Sequence, residues 1–231
     1  MIIAAAVFAL LGATDPSPAF QSPSELQVWL TYYHREPRPD LVVAALVALE
    51  DELPRHGSTL EAEAGRGGMR SFFGLVLAKS PDAVVQVESH PFAPGSRRFV
   101  AEALRRCGTK ACASALARWG VAAGPPAPDM RAAPVDSRSA IDDLWASYSA
   151  TGDSAYVERV IAALPPSSTA DAPASGVAAA ALRSLTGSAM ADPDVLEVCV
   201  ASAATAPPDR KAVLDDIVRR ARRARGEETG S

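Results

Sequence analysis

Four residues that can do chemistry crowd into one short stretch: Trp29, Tyr32, Tyr33 and His34. Trp29 and Tyr33 stand four apart and share a helical face with Leu26 and Leu30, so they read as core. Tyr32 points off that face, and exposed Tyr and Trp are favoured anchors for a bound partner. The four are therefore candidate binding residues, with Tyr32 and His34 as groove lining. The chain has 3 histidines, His34, His56 and His90, all at helix ends or in loops. His34 or His90 beside carboxylates would give general acid–base chemistry, a hydrolase or lyase on an α/α scaffold. No Gly-x-Ser-x-Gly elbow supplies a nucleophile. The adjacent acids Asp142–Asp143 and Asp215–Asp216 diverge by about 100° on a helix and form no acid/base pair by spacing. Asp142 and Asp143 suit a first helical turn, where the dipole favours negative charge.

The 3 cysteines offer a different chemistry. Cys107 and Cys112 flank a helix–turn–helix corner. In an exported protein they suit a disulfide; otherwise they are two buried thiols packing as small hydrophobes. Cys199 falls in a helical stripe and reads as a buried free thiol. No Cys-x-x-Cys or His-x-x-x-His spacing occurs, so neither metal nor cofactor is expected. Gly65-Arg66-Gly67-Gly68 has no strand before it and no Gly-Lys-Ser/Thr after it. It reads as a flexible loop and not as a phosphate cradle. Arg219 to Arg225 carries 5 arginines at a helix C-terminus, where the dipole favours them, and Glu227–Glu228 follow. With a net charge of −4, nucleic acid is not an expected partner.

Helices must hold these residues. Ser22-Pro23-Ser24-Glu25 is a capping box before the aromatic stretch. Asp40 is placed to cap a helix carrying Val42, Ala45, Leu46 and Leu49. Phe72, Phe73, Val76 and Leu77 give another stripe, and Val84, Val85 and Val87 a short helix or a strand. Ser96 is placed to cap a helix through Val100, Leu104 and Cys107, with Thr109 capping the next. Ser139–Leu164 is the clearest unit: Ile141, Leu144, Trp145 and Tyr148 share a face, Gly152 turns the chain, and Asp153 caps a second helix. Asp192–Pro193 and Pro207-Pro208-Asp209 open two more. The pattern predicts an all-α protein, an irregular αα-superhelix of about ten short antiparallel helices. It divides into an N-terminal helical region (22–119), a Pro/Gly-rich linker or loop (120–136) and a C-terminal helical region (137–225).

Met1–Ala19 begins with an uncharged apolar run and ends in small residues, as a signal peptide does, although no Lys or Arg precedes the run. A mis-assigned start or a first core helix are the alternatives. A signal peptide places the chain in the periplasm or outside the cell; otherwise it is cytoplasmic. No later segment is apolar for long enough to insert stably in a membrane.

Trp29-Leu30-Thr31-Tyr32-Tyr33 with Pro37 and Pro39, then Phe72–Phe73, Leu144-Trp145-Ala146 and Ala150-Thr151-Gly152-Asp153, carry a resemblance. From Ser22 to the C-terminus the chain resembles a family of bacterial helical proteins, often exported and without assigned activity. Its hairpins are loosely similar to tetratricopeptide and HEAT repeats. The resemblance implies a helical fold and no particular chemistry. Together these readings point to a non-enzymatic, exported scaffold that binds a protein or peptide, with the His-based hydrolase or lyase as the alternative.

Overall fold

The computed structural model describes residues 19–52, 60–125, 127–165 and 176–227; the side chains of residues 50–66 lie outside that description. His56 and the apolar run of the expected signal peptide also fall outside it. Among the described residues the protein is all helix, with 11 α-helices and one 3₁₀ turn. The helices pack on one another in an irregular superhelix.

Helix α1 (Pro23–Tyr32) begins with half of its capping box: the Ser22 hydroxyl accepts from the Glu25 N–H, while Glu25 reaches one residue past the cap to the Gln21 N–H. A 3₁₀ turn (Pro39–Leu41) precedes α2 (Val42–Glu52). Asp40, expected to cap α2, instead sits inside that turn, held by both arms of the Arg38 guanidinium at 3.0 and 2.7 Å. That ion pair holds the Asp40 carboxyl below its ordinary range.

Helix α3 (Leu60–Lys79) runs straight through the expected flexible loop. Glycine in a helix interior costs about 1 kcal/mol relative to alanine. Close packing offsets that cost here. A Cβ on Gly68 would stand 3.1 Å from the Asp142 carbonyl oxygen, and one on Gly74 would stand 2.7 Å from Arg106 Cβ. The missing side chains let α7 (Arg138–Thr151) and α5 (Pro94–Cys107) press against α3. Side chains seal the junction: the Ser71 hydroxyl donates to Asp143 Oδ1 at 2.7 Å, and Arg106 lies 3.6 Å from the same carboxylate.

Helix α4 (Pro81–Ser89) resolves the Val84–Val87 ambiguity: Val84 and Val87 are buried on one face and Val85 is exposed, a helical pattern. Helix α5 starts at Pro94 with Ala93 at the N-cap, so Ser96 lies inside the helix and does not cap it, because proline at the first helical position has its φ already set. Gly108 ends it in the left-handed region, and the Thr109 hydroxyl caps α6 (Lys110–Arg118). A disulfide joins Cys107 to Cys112 across this corner.

The central hairpin is α7 and α8 (Ser154–Ala162), with Gly152 at φ +69° between them and the Asp153 carboxylate accepting from the Ala155 N–H. Helices α9 (Val177–Ala191), α10 (Pro193–Thr205) and α11 (Pro208–Ala224) complete the chain. Buried apolar residues fall into two clusters. One is centred on Phe72, Phe73, Leu104 and Leu116, the other on Leu144, Val160, Leu185 and Ile217. Trp145, on the expected core stripe, is only partly buried at the edge of the second cluster, its indole ring 6.2 Å from that of Tyr148. Among the described residues no helix is long and apolar enough to cross a membrane.

Candidate functional site

Helix α1 and the turn that follows it wall an open groove of about 630 Å³. Its floor is Val28, Trp29, Tyr32 and Tyr33; Glu25, Arg35, Glu36 and Arg38 stand around it. The two aromatic residues of the stripe face mostly inward. Trp29 packs edge-to-face on Tyr33 (5.2 Å between ring centres) and on Phe72 (5.6 Å). Tyr33 is buried, and that burial together with the nearby Asp40 charge raises its phenol pKa. Tyr32 lies off this stripe with the Arg35 guanidinium 5.1 Å from its ring centre. Val28 is 58% exposed, a large apolar side chain one turn from Tyr32 on the same wall. Nothing in the sequence marks Val28 or Arg35, since neither an isolated valine nor an arginine at a helix end carries a signal by itself.

His34 parts company with its neighbours. It does not line the groove but turns toward α7, its backbone N–H donating to the Ser149 carbonyl at 3.0 Å. Its ring lies 4.9 Å from that of Tyr148, and its side chain covers Gly152, where a Cβ would stand only 3.1 Å from His34 Cδ2. Gly152 is thus required twice, for its positive φ and for the space it leaves. Both ring nitrogens of His34 are buried without a hydrogen-bond partner.

What faces this imidazole comes from the far end of the chain. The N-terminus of α10 contributes Asp192 and Asp194. Asp192 is 6% exposed, and its Oδ1 accepts from the Asp194 N–H at 2.9 Å, capping the helix. One nitrogen, Arg35 Nη2, reaches both carboxylates, at 2.6 Å to Asp192 and 2.8 Å to Asp194. The Tyr148 hydroxyl stands 3.5 Å from Asp192 Oδ2. Burial, with the negative charge of Asp192 and Asp194 added, pushes the Tyr148 pKa far up, so the phenol stays a donor. Arg35 belongs to both features: it lines the groove and clamps the carboxylates. Nothing in the spacing of His34 and Asp192 announces this meeting. The motif Asp192–Pro193 signals only a helix start.

The remaining candidates lie elsewhere. His90, the C-cap of α4, packs against Phe92 with the ring centres 4.5 Å apart. Asp143 is occupied by Ser71 and Arg106. Burial, and then the charge of Asp143, raises the pKa of Asp142. Lys211 pairs with Asp215, while Arg219 and Arg220 pair with Asp216. Cys199 is buried, which pushes its thiol up to about 12. A second open groove, about 550 Å³, lies between Phe92, Arg97, Arg105 and Val121. There Arg97 stacks over Trp119 and Arg105 is tied to Glu102.

Compared with protein-family models, with curated proteins and with solved structures, the chain matches none.

Proposed function

We propose that this protein is a non-catalytic binding protein whose α1 groove takes a peptide segment of a protein partner. The observation that carries the reading is the groove wall itself: exposed Val28 and half-buried Tyr32 beside the edge of Trp29, inside a rim bearing both charge signs. An apolar floor with a polar rim is the anatomy of a protein-binding surface, and aromatic anchors carry most of the energy there. The rim charges are already positioned, Arg35 by two carboxylates and Arg38 by Asp40, so they orient a ligand without first being ordered. The hydrolase or lyase alternative is less well supported. It needs His34 or His90 to reach a substrate beside a carboxylate; the His34 imidazole faces α7 with both nitrogens buried, and His90 packs against Phe92. The Cys107–Cys112 disulfide supports an oxidising compartment, and with it removal of Met1–Ala19 and a periplasmic or secreted location.

Selection of a displayed peptide library on the purified protein tests the reading. Val28→Asp and Tyr32→Ala are each expected to weaken selected peptides by more than about tenfold while leaving the melting temperature in place. Selected peptides that bind both variants as they bind the parent, or a library that yields no binder, would refute it.

A further inference from the structure

The geometry points to a divalent transition-metal site formed by His34, Asp192 and Asp194, entered from the α1 groove and guarded by Arg35. One nitrogen of His34 and one oxygen of each carboxylate all lie within 4.8 Å of one another. The imidazole supplies a separate observation. Both of its nitrogens are buried and unpartnered, a state that is costly and rare unless an ion or water completes it. The position of Arg35 is a third. Two carboxylates from one helix start converge on a single nitrogen, at 2.6 and 2.8 Å, which is where a cation between them would sit.

The donor chemistry selects the ion class. One imidazole nitrogen and two carboxylate oxygens suit a borderline ion such as zinc, with remaining positions left to water. They do not suit magnesium, which prefers an all-oxygen shell. Bonds near 2.1 Å place tetrahedral donors about 3.4 Å apart, so donors up to 4.8 Å apart must close by as much as about 1.4 Å. Asp194 can supply that movement, because its side chain is 55% exposed. Asp192 is held more firmly by the Asp194 N–H, with the Tyr148 hydroxyl beside it, as the outer partners of a metal ligand are. Arg35 must leave for the metal to enter. Its side chain is 38% exposed and borders the groove, so it has open space to swing into. Binding exchanges one internal cation for an external one, and Arg35 therefore competes with the metal. Metal binding needs no peptide, but an Arg35 swung into the groove competes with a peptide seated there.

Calorimetric titration of the dialysed full chain with zinc tests this, with circular dichroism confirming that each variant is folded. The parent is expected to bind one zinc. His34→Ala and Asp194→Asn are expected to weaken that binding on the order of 100-fold. Arg35→Gln is expected to tighten it, and magnesium not to compete. His34→Asn, closer in volume, replaces His34→Ala if the latter fails to fold. A parent without stoichiometric zinc overturns the site. So does a His34 or Asp194 variant that binds as the parent does, or an Arg35→Gln variant that does not bind more tightly.

Discussion

Replacing Gly152 with alanine separates two costs that the structure combines at one position. The first is conformational. Gly152 has φ +69°, and an L-residue in that region costs roughly 1–2 kcal/mol. Alanine also narrows the unfolded chain, which returns about 0.4–1 kcal/mol. The net conformational cost is therefore about 1 kcal/mol. The second is steric. The new Cβ would meet Cδ2, Cβ and Cγ of His34 at 3.1, 3.3 and 3.4 Å, and the His34 ring packs against Tyr148. Overpacking of this kind costs about 1–3 kcal/mol. Gly152→Ala should thus lose about 2–4 kcal/mol in urea unfolding followed by circular dichroism. Gly108 is the internal control. It has φ +68° and ends α5 in the same way, but its Cβ would meet nothing closer than 4.0 Å. Gly108→Ala should lose only the conformational part, about 1 kcal/mol. A His34→Ala background should remove most of the excess at Gly152, as a double-mutant cycle. Equal losses at the two glycines, or an excess that survives His34→Ala, would refute the placement of His34 over Gly152.

Reduction of the Cys107–Cys112 bridge, or Cys107→Ser with Cys112→Ser, opens a loop whose ends are 5 residues apart, and should lower stability by about 2 kcal/mol in denaturant melts. Acid should weaken the central hairpin through Asp153, whose carboxyl is held below its ordinary range, first by the Ala155 N–H and then by Arg131. A depressed folded-state pKa contributes stability above the unfolded value near ~3.9 and loses it as pH falls through the folded one. Asp153→Asn, which still caps, should cost stability at pH 7 and lose less than the parent when urea midpoints at pH 7 and pH 3 are compared.

Local chemistry determined much of this protein from the sequence. Caps and stops are short-range devices, so Ser22, Thr109, Asp153 and Gly152 could be read where they stand, each acting on a backbone group within a few residues. Helical spacing likewise set the inward stripes, because one face of each helix must leave water. Two elements misled. Gly65 to Gly68 reads as a break because glycine is a poor helix former. Only the approach of the α7 backbone shows why a helix tolerates it there. Asp40 reads as a cap, but Arg38 beside it offers a charge-assisted pair that a neutral N–H does not match.

The candidate sites were legible only in part. The aromatic stretch marked α1, yet its four residues divide in space, because a turn of α1 carries Trp29, Tyr32 and Tyr33 to the groove and His34 to α7. The carboxylate cluster was invisible. Arg35 and Asp192 are 157 residues apart, and no periodicity links them. Their meeting follows from how α1, α7 and α9 stack, with the start of α10 carried along. The sequence by itself determined the helices and the faces they bury. Tertiary packing alone decided which helix ends meet, and so which charges share a low-dielectric site. Burial acts within each helix, whereas the pairing of His34 and Arg35 with Asp192 depends on the summed geometry of every turn between them.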